Sequence, residues 1–147
     1  MAEVKGRADV AVFARIGAIE RLAAQRLERA LPDRLSATGF DVLNRLALAP
    51  EPLSPRGLAK TLLLSKPTMT HTLQRLERQG LVTIAGDPAD GRRKHVALSV
   101  AGAQAQRAAV AAVRPKIEEI RAAFGAHAFE AALPFLERLG AWLADNP

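Results

Sequence analysis

Apolar side chains recur with a helical stride near the start of the chain. Val10, Phe13, Ile16, Ile19, Leu22, Ala23 and Leu27 fall close to one stripe, which predicts a helix over residues 8–30. Leu31-Pro32 ends it, because proline restricts the residue before it and cannot donate a helical hydrogen bond. A second helix starts near Ser36 or Thr38 and carries Phe40, Val42, Leu43, Leu46 and Ala47. "APEPLSP" stops it, since three prolines in seven residues cannot continue a helix. Ser54-Pro55 pairs an N-cap residue with a proline at the first helical position. The short helix that follows, "PRGLAKTLL", is expected to bury Leu58, Ala59 and Leu62. Ser65 caps a fourth helix, in which Pro67 is tolerable in the first turn. Met69, Leu73 and Leu76 recur there at i, i+4, i+7 beside Thr72, and Gly80 ends the helix.

The period then changes. "LVTIAG" at residues 81–86 and the run at residues 93–98 read as two strands around a turn containing Asp87-Pro88 and Asp90-Gly91. Ser99 caps a helix from 100 to about 123 that is Ala-rich and expected to bend or break at Pro115. A final helix spans about 126–144, with Leu133, Phe135, Leu136, Leu139, Trp142 and Leu143 giving it a broad apolar surface. The fold class is therefore mainly α with a small β-hairpin, and neither an internal repeat nor a low-complexity linker interrupts it.

The chain has 147 residues, about one domain's worth and enough to bury a core without staples. With no cysteine there is no disulfide framework, thiolate metal site or thiol-based redox sensor. The start, "MAEVKGRADVAVFARIG", is charged from the third residue and lacks the apolar region of a secretory signal. No run approaches the roughly 18 apolar residues that a membrane span needs. These features predict a cytoplasmic protein that does not engage a membrane. His71, His95 and His127 are scattered without compact carboxylate partners, so neither a metal site nor a cofactor is expected. There is no GxSxG, HExxH or P-loop pattern, which argues against an enzyme. The net charge of +6 and pI of about 10.7 raise a polyanion as partner.

Charge placement sharpens that reading. The third and fourth helices are short and joined by about three residues, which is helix-turn-helix geometry. Opposite its apolar stripe, the fourth helix carries Thr68, Thr70, His71, Gln74, Arg75 and Arg78, groups that can donate to phosphates or read base edges. Its N-terminus offers free N–H groups and a positive dipole end, both suited to a phosphate. Residues 65–95 hold Lys66, Arg75, Arg78, Arg92, Arg93 and Lys94 against only Glu77, Asp87 and Asp90. A solvated helix face and an ordinary hairpin tip are the bland alternative, and it is the juxtaposition that favours double-stranded DNA.

The stretch "SKPTMTHTLQRLERQGLVTIAGDPADGRRKHVALSVAG" resembles the MarR family of winged helix-turn-helix transcription regulators. The shared features are "RLERQGLV" closing the recognition helix, the wing "DPADGRRKHVALS" and the entry "SVAG" to the next helix. In that last motif the family usually has Thr where Ser99 stands. The likeness is good over residues 36–102 and is positional in the flanking helices. It implies a homodimer in which residues 1–35 and 100–147 form dimerisation helices and residues 36–99 form the DNA-binding lobe. Two recognition helices would enter major grooves of a near-palindromic operator, half-sites about one helical turn apart, with each wing in a minor groove. Carried over by position, the recognition contacts are Ser65, Lys66, Pro67, Thr68, Thr70, His71, Gln74 and Arg75. The wing contacts are Arg92, with Arg93 or Lys94 on phosphates, and Asp90 matches the aspartate that orients the wing arginine by an ion pair. Position 71 is often arginine in the family, and the shorter, near-neutral His71 puts guanine or phosphate contact there in doubt.

Val10, Phe13, Ile16, Leu133, Leu136, Leu139, Trp142 and Leu143 are assigned to the dimer interface or core. Family members commonly release DNA when a small aromatic or phenolic anion binds between the dimer helices and the lobe. By analogy the expected function is a repressor released by such an effector, with Phe13, Arg15, Phe40 and Arg45 as pocket candidates. Two alternatives stay open: a winged-helix DNA-binding protein without a ligand, architectural or controlled by abundance, and a protein-interaction module on the same scaffold.

Overall fold

A computed structural model describes residues 6–32 and 34–147. Residues 1–5, which include the beginning of the predicted N-terminal segment, lie outside the described residues. The elements run α1 (Ala8–Ala30), α2 (Ala37–Leu48), α3 (Pro55–Leu62), α4 (Lys66–Arg78), β1 (Val82–Gly86), β2 (Lys94–Leu98), α5 (Val100–Phe124) and α6 (Ala126–Asp145). The chain divides into two compact units, one ending at Ala112 and the other spanning Val113–Pro147.

The first unit holds the core. Val42, Leu43, Leu58, Met69, Leu73, Leu76, Val82 and Val96 are almost fully buried and come from α2, α3, α4 and both strands. Of the apolar positions expected to be buried in α3, Leu58 is fully buried while Ala59 and Leu62 are half-buried. The caps expected at Ser54 and Ser65 form, and of the two starts read for α2 it is Ser36 that caps. Ser36, Ser54 and Ser65 accept from the backbone N–H of Gly39, Gly57 and Thr68 at 3.0, 3.0 and 3.3 Å. α2 and α4 approach closely at Gly39, where a Cβ would meet Leu76 Cδ2 at 3.4 Å and Leu35 Cδ1 at 3.2 Å.

β1 and β2 pair antiparallel with Ile84 opposite Val96 and Ala85 opposite His95. Leu53 adds a rung beyond the predicted hairpin: its N–H donates to Val96 O at 3.1 Å and its carbonyl accepts from Val96 N at 2.7 Å. A single paired residue is too short to show strand periodicity, which is why the sequence did not reveal it.

Two helices contain interior prolines. α5 runs continuously through Pro115, so of the bend or break expected there the break does not occur, and α6 runs through Pro134. One missing backbone N–H is tolerated where the turns on either side supply their own hydrogen bonds and the segment is rich in alanine.

In the second unit, the rings of Phe124 and Phe129 meet edge to face, with centroids 6.5 Å apart and planes at 85°. Leu133, Leu136, Trp142 and Leu143 are exposed, as is Phe13 of α1, and α1 buries none of its residues fully. Ile16 and Leu139 are half-buried, and Val10 is exposed. Among the described residues, no helix is long and apolar enough to cross a membrane.

Candidate nucleic-acid interface

α4 is built to present one face. Met69, Leu73 and Leu76 anchor it in the core at 2–3% exposure, and Thr72 sits beside them with its hydroxyl donating to Thr68 O at 2.8 Å. Ser65, Lys66, Pro67, Thr68, Thr70, His71, Gln74 and Arg75 are all exposed. The sequence-predicted contacts therefore share the open side of one helix, from its cap at Ser65 to Arg75 in its last turn. Ser65 Oγ also donates to Thr68 Oγ1 at 2.8 Å, so the cap fixes the hydroxyl that begins this face. Phosphate binding at such an end draws on both the unpaired N–H groups and the helix dipole.

The turn before α4 carries a conformational cost. Leu63 has φ 54° and ψ 41°, the left-handed region that glycine usually fills, and its side chain is 74% exposed. The geometry allows Leu64 N–H to donate to Ala59 O at 2.9 Å and so closes α3 sharply enough to start α4 three residues later.

The far end of α4 is tied down. Gly80 takes φ 72°, Leu81 N–H donates to Leu76 O at 3.0 Å, and the helix stops where predicted. Gln79 Nε2 donates to Arg34 O at 2.8 Å, and Arg75 Nη2 approaches the same oxygen at 3.4 Å. Arg75 thus leans toward the α1–α2 linker, where Arg34 itself holds φ 73°. This clamp was missed from the sequence because its acceptor is a backbone carbonyl, which no side-chain pattern reports. Ser99 makes a second tie: its hydroxyl donates to Gly80 O at 2.5 Å and accepts from Gly102 N–H at 2.9 Å.

The basic tip follows. Asp90, Arg92, Arg93 and Lys94 are all exposed. Asp90 Oδ1 accepts from the Arg92 backbone N–H at 3.1 Å, while Oδ2 lies 3.9 Å from Arg93 Nε. The ion pair expected between Asp90 and Arg92 is thus replaced by a backbone cap and a loose contact with Arg93. The carboxylate sits inside its own turn, so the side chain two residues on projects away while the third comes round to it. At the base of the loop, Asp87 Oδ2 lies 2.9 Å from His95 Nε2 and Asp87 Oδ1 accepts from Ala89 N–H at 2.8 Å. The His95 hydrogen bond, with the Ala89 amide behind it, holds the Asp87 carboxyl below the usual carboxylate range.

The ligand-pocket candidates differ in their exposure. Phe40 is a core residue at 8% exposure. Phe13 and Arg15 are exposed on α1, and Arg45 is half-buried on α2 with its Nε buried and unpartnered. A crevice of about 270 Å³ lies elsewhere, lined by Pro32, Arg34, Leu35, Gln79, Leu81 and Ala105. Among the described residues, no cluster of three His, Asp or Glu side chains is placed to hold a metal ion.

A capped helix with an open polar face, set on a helix-turn-helix and followed by a basic hairpin, defines a winged-helix DNA-binding transcription regulator. The comparisons give the family. The MarR family model matches residues 35–93, which spans α2 to the wing tip. A probable transcriptional regulator from Pseudomonas aeruginosa is 30% identical, with 87% of this chain and 98% of that one covered and a TM-score of 0.73. A MarR-family regulator from Rhodococcus sp. RHA1 shares the fold at 20% identity, 91% and 95% coverage and a TM-score of 0.80. CouR from Rhodococcus jostii RHA1, solved bound to p-coumaroyl-CoA, does so at 21% identity, 98% and 96% coverage and a TM-score of 0.71. No curated protein matches the sequence at a significant level. The chain belongs to the MarR family of transcription regulators.

Proposed function

We propose that the protein is a homodimeric, sequence-specific repressor that releases DNA when a small aromatic or phenolic ligand binds. The exposed polar face of α4 beside the basic wing carries the DNA-reading part of this proposal. Residues 36–99 act as the DNA-binding lobe, and residues 1–35 and 100–147 as dimerisation segments on a near-palindromic operator. The dimer reading is supported by Phe13 at 50%, Leu133 at 55% and Trp142 at 60% exposure, large apolar side chains that a monomer would leave in water. The ligand reading rests on kinship with CouR, whose structure holds an aromatic acyl-CoA. Such a protein acts in the cytoplasm and needs no catalytic site.

Arg92 is assigned to the minor groove. A guanidinium is planar and more weakly hydrated than an ammonium, and narrow A·T-rich grooves concentrate negative potential. Binding duplexes selected by the protein from a random-sequence pool provide the probe. Arg92→Ala is expected to weaken binding to every selected duplex and to lower the salt slope by about one ion. Wild-type affinity and slope in that variant would remove Arg92 from the interface. A melting temperature that rises with protein concentration supports the dimer, and one that does not change refutes it.

The burial of Phe40 at 8% exposure favours one alternative, a DNA-binding protein controlled by abundance alone. Aromatic and phenolic carboxylates that neither shift the melting temperature nor release the selected duplex decide for that alternative.

A further inference from the structure

The wing tip carries the cations, but the contact that fixes the wing lies at its base. Asp87 closes three interactions there. Its N–H donates to Arg93 O at 2.8 Å, one carboxylate oxygen accepts from Ala89 N–H at 2.8 Å, and the other meets His95 Nε2 at 2.9 Å. The Asp87 side chain is only 23% exposed and that of His95 38%, whereas that of Arg93 is 78% exposed. The pair therefore spans the hairpin where the loop leaves the ladder, opposite the turn formed by Asp90 to Arg93.

We propose that Asp87 and His95 form a latch that positions the wing's cations on DNA, and that protonation of His95 strengthens both the latch and the complex. The proposal rests on the reading of the wing as a DNA contact. In neutral His95 the contact is an ordinary hydrogen bond. In protonated His95 it becomes a charge-assisted one, roughly twice as strong. Among the described residues, Asp87 is the one acidic group within ion-pair distance of His95. Its flanking cations, Arg93 and Lys94, are exposed, and across the ladder it faces Ala85. Thr83 and Ala97, which share its face of the hairpin by alternation, do not titrate. α2 and α3 pack on β2 from the side of the buried Val96, so Asp41, Arg45, Arg56 and Lys60 belong to the opposite face.

The sign of one substitution separates positioning from bulk electrostatics. Asp87→Asn removes a negative charge beside the DNA surface, and that alone would tighten binding to a polyanion. The latch predicts the reverse.

The test measures affinity for a selected duplex at fixed salt, at pH 6 and pH 8, in wild type, Asp87→Asn, His95→Gln and the double variant. The expected coupling between the two sites is on the order of fivefold at pH 6 and smaller at pH 8. His71 is common to all four proteins, so any contribution from it cancels in the cycle. Asp87→Asn binding as tightly as wild type at pH 6, or a cycle additive within about twofold, overturns the latch. Should Asp87→Asn lower the melting temperature sharply, His95→Gln decides. It leaves the Asp87–Ala89 turn intact, so retained binding at pH 8 with a lost advantage at pH 6 supports the proposal, and an unchanged pH profile refutes it. Arg92→Ala in parallel separates the two readings. If that variant binds normally, the wing is not on DNA; if it binds weakly while the cycle is additive, only the latch fails.

Discussion

Gly102 in the first turn of α5 should not tolerate even a methyl group. A Cβ built there stands 1.8 Å from Leu81 O and 2.8 Å from its carbonyl carbon. Real Cβ contacts stay beyond 3.0 Å, so backbone must retreat by more than 1 Å at a point with no flexible side chain to yield. The displaced carbonyl is the acceptor for Ser99 N–H at 3.1 Å, and Ser99 Oγ ties Gly80 O to Gly102 N–H. Overpacking of this kind typically destabilises by about 1–3 kcal/mol. Loss of the Ser99–Leu81 bond adds about 1 kcal/mol. Alanine's better helix propensity returns at most about 1 kcal/mol.

The net for Gly102→Ala is about 2 kcal/mol of destabilisation, which for a chain of this length lowers the melting temperature by about 4–8 °C. Thermal denaturation followed by circular dichroism, at one fixed protein concentration, measures it. Gly91→Ala is the control: it has nothing within 4 Å and no left-handed φ, and its melting temperature should match wild type. A Gly102→Ala protein as stable as wild type would refute the seating of α5 on the Leu81 carbonyl. It would also remove the physical reason for a glycine at the end of "SVAG".

Three further outcomes follow from the same geometry. Leu63→Gly should raise the melting temperature by a few degrees. Relief of a left-handed leucine, about 1–2 kcal/mol, exceeds glycine's extra unfolded-state entropy of about 0.5–1 kcal/mol, and little apolar burial is lost at 74% exposure. Because the His95 hydrogen bond lowers the Asp87 carboxyl from its ordinary 3.8, the stabilisation is complete above that pH and is lost as pH falls through the lowered value. Acid titration of melting temperature should therefore show wild type and Asp87→Asn converging in strong acid. Gln79→Ala removes the 2.8 Å clamp on Arg34 O but also the buried, unpartnered Gln79 Oε1. The lost bond costs about 1 kcal/mol and removal of the unpartnered oxygen returns about 1–3 kcal/mol, so duplex affinity should fall severalfold while the melting temperature holds or rises by a few degrees.

What could be read from the sequence followed from features with strong local physics. Serine caps, Gly80 at a helix end, the i, i+4, i+7 run of Met69, Leu73 and Leu76, and a Gly-containing turn each determine structure within a few residues. They were enough to place both helices of the helix-turn-helix pair, the hairpin and the exposed polar face of α4. What escaped the reading depends on backbone atoms and on distance along the chain. The Leu53 rung, the Arg34 carbonyl clamp and the Asn44–Gln106 hydrogen bond at 3.0 Å join segments that no short window contains. Local grounds make Pro115 a bend or a break in α5, and the helix is continuous through it, so the break does not occur. Phe40, a pocket candidate by analogy with the family, is a buried core residue at 8% exposure in this chain.

These long-range ties bear on how a ligand could act. The recognition helix is fixed at its C-terminal end by Gln79 on Arg34 O, by Ser99 on Gly80 O, and by Ser99 N–H on Leu81 O. Their partners lie in the α1–α2 linker and at the start of α5, outside the helix-turn-helix pair. At about 1 kcal/mol each, the three contribute about 3 kcal/mol to one orientation of α4. Ligand binding can move an equilibrium only by its difference in affinity between the two states. A near-complete switch requires about 5.5 kcal/mol. On the proposed ligand-release reading, an effector that merely fills space near α1 or α2 is insufficient. It must also disfavour the Arg34 linker geometry or the seating of α5 on Leu81, because those contacts join the flanking segments directly to the C-terminal end of α4.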